Sequence, residues 1–155
     1  MEKLGSLLLA ILLLLSLGSC AYQDPVLDSL PDHISKEFYT SGGFQDYTDY
    51  AQYTYDSIPA EALKSSKYFT VTTGEDVDEI LSYIDNFEAR VEAIGGELKE
   101  NYDFDRSTVT EGDLFYIKTK EGGSIGQGTY GKFDDYSVYY FDIDALVLYY
   151  FHNNI

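Results

Sequence analysis

The sequence predicts an α+β fold, in which a single antiparallel sheet, a C-terminal meander, packs against one long amphipathic helix. Two observations lead to this prediction. Residues 75–94 carry apolar side chains at helical spacing, and the C-terminal third contains stretches rich in β-branched and aromatic residues. A single domain is expected, because the chain has 155 residues.

The helix from Glu75 to Ile94 is the clearest element. Its apolar residues fall on one side at helical spacing: Val77, Ile80, Leu81, Ile84, Phe87, Val91 and Ile94. Two capping boxes are possible at its start, Thr72 with Glu75 and Thr73 with Asp76. The pair Gly95-Gly96 supplies a left-handed stop. The apolar stripe must be buried, and a sheet is its expected partner.

Strands are expected on both sides of this helix. Before it, residues 68–73 alternate and favour a strand, and the tyrosine-rich stretch 44–55 favours a strand in its second half. A short helix is expected at 59–64, since proline suits the first turn of a helix. The later strands are expected at 114–120, 136–142 and 146–151, and residues 142–145 connect the last two as a hairpin.

Tyrosine is the most conspicuous residue type, with 16 copies. Tyrosine combines a large apolar body with a polar tip, which suits recognition surfaces. The candidate binding surface consists of Tyr47, Tyr50, Tyr53, Tyr139, Tyr140, Tyr149 and Tyr150. The alternative is that these tyrosines fill the sheet and reach water only at their tips.

Glu88 is the candidate carboxylate with perturbed protonation. It falls at the edge of the apolar stripe and lies three and four residues from Asp85 and Glu92. A carboxylate held beside a core among like charges is the kind of group that serves as a general acid. The alternative is that its side chain reaches water or meets a lysine of the sheet.

The N-terminus has the features of a secretory signal. An unbroken apolar run covers residues 7–15, which is shorter than the about 20 residues that span a bilayer. Leu17-Gly18-Ser19-Cys20 follows, and it resembles the lipobox of bacterial lipoproteins. This resemblance implies a signal peptide at residues 1–19 and a thioether-linked diacylglycerol on Cys20. It also implies a lipid-anchored protein at the outer face of the cell membrane.

The remainder divides into a tether and a domain. Residues 20–36 contain two prolines and no clear period, so they are expected to form a lipidated N-terminus and an extended tether, or to lie along the domain. The α+β domain is expected at 37–155. This part resembles an uncharacterised group of small extracytoplasmic proteins of Gram-positive bacteria. The resemblance lies in residues 43–50, 111–113, 130–134 and 148–154 and implies no activity.

Several classes of chemistry are disfavoured. The formal net charge of −17 argues against nucleic acid as a partner. We expect no cofactor, because the glycine-rich spelling that starts at Gly126 precedes a strand rather than a helix. We expect no metal site, although weak calcium binding through Asp103, Asp105 and Glu111 is a minor alternative. His152 is expected to pack and to form hydrogen bonds.

The combination predicts a lipid-anchored extracytoplasmic binding or structural module, with a protein or a cell-wall glycan as its partner. One alternative is an immunity or inhibitor-type protein for a basic partner, because acidic proteins steer basic ones electrostatically. A less favoured alternative is a hydrolase that uses carboxylates. Because the favoured role is binding or structural, an enzyme is not expected.

Overall fold

An antiparallel sheet and a long helix form the folded part of the chain, for which a computed structural model describes residues 24–43, 46–57, 63, 65–126 and 128–155. The strands are β1 (Ser35–Gly42), β2 (Tyr47–Thr54), β3 (Thr70–Val71), β4 (Leu114–Thr119), β5 (Ser124–Ile125), β6 (Gly128–Thr129), β7 (Asp135–Asp142) and β8 (Val147–Asn154). The described helices include α1 (Gly74–Ile94) and α2 (Gly96–Asn101). The main sheet has the order β1-β2-β8-β7-β4-β3, and β5 and β6 form a separate hairpin. The predicted α+β class is confirmed.

The ends of α1 follow the local sequence. Thr73 is the N-cap, and its backbone N–H donates to Asp76 Oδ2 at 2.8 Å, so the second of the two predicted capping boxes forms. Hydrogen bonds from Thr73 lower the pKa of the Asp76 carboxyl. At the other end, Gly95 has a φ of 70° and its N–H donates to the carbonyl of Val91. This positive φ is favourable for glycine, which explains why the helix ends there.

Side chains alternate along each strand and therefore project from both faces of the sheet. Each face belongs to a cluster of buried residues. The face against α1, called here the helix face, belongs to a core cluster of Tyr50, Ile80, Tyr83, Ile84, Phe87, Val91, Leu98, Phe104, Val109, Tyr136, Val138, Tyr140 and Phe151. The opposite face, called here the far face, belongs to a second cluster of Val26, Ala51, Tyr53, Tyr55, Leu63, Phe69, Leu114, Tyr139, Phe141, Leu148 and Tyr150. Hydrophobic burial on both faces therefore holds the sheet in the middle of the fold.

The far face is covered in part by the N-terminal segment Asp24–Leu30. Val26 is 2% exposed, and Leu27 and Leu30 pack against the far-face cluster. The folded body therefore includes residues within the stretch 20–36. Its start is placed earlier than the predicted boundary at residue 37, because these apolar side chains cover the sheet.

The sheet is wider than the predicted C-terminal meander. β2 pairs with β8, and β1 pairs with β2 along its whole length, from Ser35 opposite Thr54 to Gly42 opposite Tyr47. The sequence did not indicate β1, because this edge strand is mostly exposed and lacks an apolar alternation. The strand expected at 68–73 contributes only β3 to the ladder, since Thr73 caps α1.

Two further expectations concern loops. β5 pairs with β6 in an antiparallel ladder, and the next described element is β7, so the glycine-rich segment precedes a strand and not a helix. A dinucleotide fingerprint requires such a helix for its pyrophosphate. The short helix expected at 59–64 lies outside the described residues except for Leu63, which is helical and buried.

Candidate functional site

A pocket of about 470 Å³ opens on the far face, where β1, β2 and β8 meet the N-terminal segment. It is called here the far-face pocket, and it is lined by Asp24, Leu27, Lys36, Phe38, Tyr47, Asp49, Tyr53, Tyr150 and His152. Its walls combine aromatic rings with two carboxylates, one imidazole and one ammonium. Pockets of a few hundred cubic ångströms with few polar groups are typical of small-ligand sites.

Strand register brings these side chains together. Asp49 lies opposite His152 in the β2–β8 pair, and Tyr150 lies opposite Ala51. Phe38 lies opposite Ala51 in the β1–β2 pair. Because side chains two residues apart share a face, β2 alone places Tyr47, Asp49 and Tyr53 on the pocket wall. Ala51 lies between Phe38 and Tyr150 in this register and carries a smaller side chain than either.

Asp49 is the unusual polar group of the pocket. Its residue exposure is 9%, yet among the residues that the structure describes no hydrogen bond or ion pair reaches its carboxylate. Buried carboxylates are normally paired, because removing a charge from water without compensation is costly. Asp49 is therefore a buried carboxylate without a hydrogen-bond or ion-pair partner among the described residues.

His152 presents a neutral imidazole to the same pocket. Its Nδ1 lies 2.9 Å from the backbone carbonyl oxygen of Tyr136, which can only accept, so Nδ1 carries the proton. Ser137 Oγ lies at 2.9 Å from the same Nδ1. In the neutral ring Nε2 then carries a lone pair. Burial lowers the pKa of His152, which favours this neutral form, although the Asp49 carboxylate acts in the opposite direction.

Aromatic rings line the rest of the pocket. The Tyr47 and His152 ring centroids are 5.1 Å apart, and the Tyr150 ring stacks on His152 at 6.1 Å with an interplanar angle of 13°. On the β1 side, Lys36 Nζ lies 4.9 Å from the Phe38 centroid and 5.2 Å from the Tyr53 centroid. These distances are within the range of cation–π attraction.

The two carboxylates of the pocket give it a negative potential. Burial, followed by the charges of Asp24 and Asp49, raises the pKa of the Tyr53 hydroxyl to about 12. Asp24 itself is satisfied, since its Oδ1 accepts from the N–H of Val26 at 2.9 Å and its Oδ2 accepts from the Tyr139 hydroxyl at 2.6 Å. Asp24 therefore has a structural role, whereas Asp49 faces the pocket without such partners in the described part of the chain.

The predicted tyrosine surface does not exist as one surface. Tyr47, Tyr53 and Tyr150 line the far-face pocket, and Tyr139 lies on the same face, bonded to Asp24. The other predicted tyrosines belong to the helix face: Tyr50, Tyr140 and Tyr149. Alternation along β2, β7 and β8 sends neighbouring tyrosines to opposite faces of the sheet. Tyr50, Tyr53, Tyr139, Tyr140 and Tyr150 are also buried.

Tyr50 and Tyr140 can be buried on the helix face because their hydroxyls have hydrogen-bond partners. Tyr50 donates to Asp103 Oδ1 at 3.0 Å, and Tyr140 donates to Asp113 Oδ2 at 2.6 Å. Burial raises the pKa of both hydroxyls, and the neighbouring carboxylates raise it further. Paired in this way, a tyrosine hydroxyl can enter a core at little cost.

The prediction for Glu88 required a carboxylate held beside the core, and Glu88 is not buried there. Glu88 lies at the border of the apolar stripe, and it is exposed. It lines an open groove of about 510 Å³ with other carboxylates that have structural partners. Glu92 pairs with Lys99 at 2.6 Å, and Asp105 accepts from the N–H of Ser107 at 2.8 Å. This arrangement gives no support to a hydrolase centre.

Six lining residues of the pocket were not part of the predicted binding surface: Asp24, Leu27, Lys36, Phe38, Asp49 and His152. A period-two reading of residues 47–53 would have placed Asp49 beside Tyr47 and Tyr53. No comparable signal exists for Lys36 and Phe38, because the edge strand that carries them lacks a clear pattern.

Among the described residues, no group of three or more His, Cys, Asp or Glu side chains could hold a metal ion. None of the described helices is long and apolar enough to cross a membrane. Cys20 and the rest of residues 1–23 lie outside the described part of the chain.

Comparisons with protein-family models, with curated proteins and with solved structures find no match to this chain.

Proposed function

We propose that this protein is a ligand-binding module, held outside the cytoplasm by lipid on Cys20, and that its ligand enters the far-face pocket. The observation that carries the binding role is the Asp49 carboxylate, which is 9% exposed and unpaired within the described residues. A buried charge without a partner is unfavourable in the free protein and becomes favourable when a ligand pairs with it.

The anchoring part of the proposal is supported by the sequence. Cys20 is the single cysteine of the chain and directly follows Leu17-Gly18-Ser19. Acyl chains contribute about 0.8 kcal/mol per buried methylene, so two or three chains would hold the protein stably at a bilayer.

Metabolic labelling tests the anchor. The full-length chain is expressed in a bacterium with a palmitate analogue that can be detected chemically, and a Cys20→Ser variant is the control. We expect label and membrane association for the original chain, and neither for the variant. An unlabelled original chain in the soluble fraction would contradict the anchoring proposal.

Proton NMR tests the binding site. The full-length chain, purified from membranes in detergent, is titrated separately with wall peptides, wall glycan fragments and soluble envelope proteins. Because His152 lines the pocket, we expect one of these fractions to shift its ring signals and to lose that effect in a Tyr47→Ala variant. If every fraction leaves the His152 signals unchanged, the proposed site is wrong.

The immunity or inhibitor alternative is favoured by one observation, the formal net charge of −17. A protein that neutralises a basic enzyme would use this charge to accelerate association. In that case the partner would be found in the soluble protein fraction, and raising the salt concentration would slow its association.

A further inference from the structure

The far-face pocket offers hydrogen-bond acceptors and aromatic surfaces on adjacent walls. Asp49 contributes a buried carboxylate that lacks a partner within the described residues, and the Nε2 atom of neutral His152 contributes a lone pair. The faces of aromatic rings carry negative charge density, and Tyr47 and Tyr150 flank the imidazole. A group that complements this wall must donate hydrogen bonds and carry positive charge.

The ammonium group of Lys36 lies against aromatic rings of the pocket. Its Nζ lies near the faces of Phe38 and Tyr53, at 4.9 and 5.2 Å from the ring centroids. Among the described residues, its ammonium forms no ion pair, so neither Asp24 nor Asp49 is neutralised by it. The aromatic part of the pocket already holds a cation, while the carboxylate part is left for a second one.

The net charge of the chain favours a basic peptide over a membrane lipid as the molecule that carries the cation. A formal net charge of −17 attracts a basic peptide over distances comparable to the Debye length. The same charge repels the anionic headgroups of a bilayer. A peptide is therefore favoured over a membrane lipid as the source.

We propose that the far-face pocket binds the primary ammonium of a lysine side chain on a peptide or protein partner, with Asp49 as its counter-ion and His152 Nε2 as a second acceptor. This inference rests on the proposed binding function and names its ligand class. An ammonium has three N–H donors, which suits two acceptors and an aromatic face.

The test uses two peptides that differ only in charge. The first is Gly-Lys-Gly with its N-terminus acetylated and its C-terminus amidated, and the second also carries an acetyl group on the lysine side chain. Binding to the full-length protein in detergent is followed by the His152 ring signals. We expect the charged peptide to bind at least about tenfold more tightly, since a hydrogen bond to a charged group is worth that factor.

Variants locate the site. Asp49→Asn keeps the shape and removes the charge, and we expect it to weaken binding of the charged peptide at least about tenfold. Asp78→Asn is the matched control, because Asp78 is an exposed carboxylate on α1, on the other side of the sheet. It should leave the affinity within about twofold, since surface charges contribute little.

A third variant guards against misfolding of the Asp49 variant. Lys36→Met removes the resident cation from the exposed β1 strand, and we expect it to tighten binding about threefold, the size of a surface cation–π or charge effect. Circular dichroism checks that each variant is folded.

Three results would overturn the inference: equal binding of the two peptides, an unchanged affinity in a folded Asp49→Asn variant, or weaker binding in Lys36→Met. Binding to phosphatidylethanolamine vesicles without binding to the charged peptide would also overturn it and would identify a lipid ligand. Binding of neutral wall glycan in the pocket, without binding of the charged peptide, would overturn the ligand class and leave the proposed function standing.

Discussion

At the scale of single residues, two buried aspartates differ in whether their carboxylates have hydrogen-bond partners. Asp113 is 7% exposed, but its carboxylate accepts from the Tyr140 hydroxyl at 2.6 Å, the Thr110 hydroxyl at 2.8 Å and the N–H of Ile143 at 2.9 Å. Asp49 is 9% exposed and has no such set within the described residues. The contrast separates a structural carboxylate from a candidate binding one.

The titration of His152 is the prediction at this scale. Burial, with a smaller contribution from the charge of Lys120, lowers the pKa of His152 below 6.5. The Asp49 carboxylate, the carbonyl of Tyr136 and the Asp135 carboxylate act in the opposite direction. In a proton NMR titration of the two histidines, we expect the His152 signals to move at a midpoint below 6.5. A His152→Gln variant assigns the signals. A midpoint at or above 6.5 would contradict the buried environment described for this ring.

The same shift predicts how stability depends on pH. As the pH falls below 6.5, the unfolded chain takes up the His152 proton before the folded chain does, so the free energy of unfolding decreases until the folded pKa is passed. Urea unfolding at pH 7.5 and 5.5 measures this loss. We expect the loss to be smaller in His152→Gln, because the substituted side chain does not titrate.

At the scale of elements, α1 is attached to the sheet by an aromatic cluster. Phe87 is fully buried, and its ring centroid lies 5.4 Å from that of Phe151, 5.7 Å from that of Tyr102 and 6.4 Å from that of Tyr50. The hydroxyl of Tyr136 adds a hydrogen bond from β7 to the carbonyl of Tyr83 at 3.1 Å. The helix therefore depends on packing as well as on its own capping box.

Paired substitutions in adjacent positions test the docking of α1. Phe87→Ala should lower the free energy of unfolding by about 3–5 kcal/mol, because it leaves a cavity between the helix and the sheet. Glu88→Ala, one residue later on the exposed side, should change it by less than about 0.5 kcal/mol. Urea titrations followed by circular dichroism measure both values. A large effect of Glu88→Ala would restore a structural or functional role to this carboxylate.

At the scale of the whole molecule, the segment Asp24–Leu30 covers part of the far face and contributes Asp24 and Leu27 to the pocket. Asp24 bonds to Tyr139, which lies 115 positions further along the chain.

Tyr139→Phe tests whether the N-terminal segment stabilises the folded body. Loss of the hydroxyl removes the partner of the buried Asp24 Oδ2, so we expect a decrease of about 1–3 kcal/mol in the free energy of unfolding. Tyr149→Phe is the matched control on β8, since Tyr149 is only half-buried, and it should cost less than about 0.5 kcal/mol. Equal effects of the two substitutions would show that Asp24–Leu30 adds little to stability.

Several elements can be predicted from strong local signals in the sequence. Helix α1 with its Gly95 stop, and strands β4, β7 and β8, follow from periodicity, capping and β-propensity, which depend on near neighbours in the chain. The sequence offered two N-caps for α1, and the structure selects Thr73. The sequence also supplied the lipobox prediction at Cys20, which the structure does not test. These features need no knowledge of distant contacts.

The side chains of the far-face pocket are brought together by pairing between strands that are distant in the chain. Asp49 and His152 are paired by the β2–β8 register, and Lys36 and Phe38 arrive on an edge strand without a local pattern. The exposure of Glu88 and the separation of the tyrosines between two faces were likewise decided by packing. Burial and partnership are properties of contacts between residues far apart in the chain, and a local pattern does not contain them.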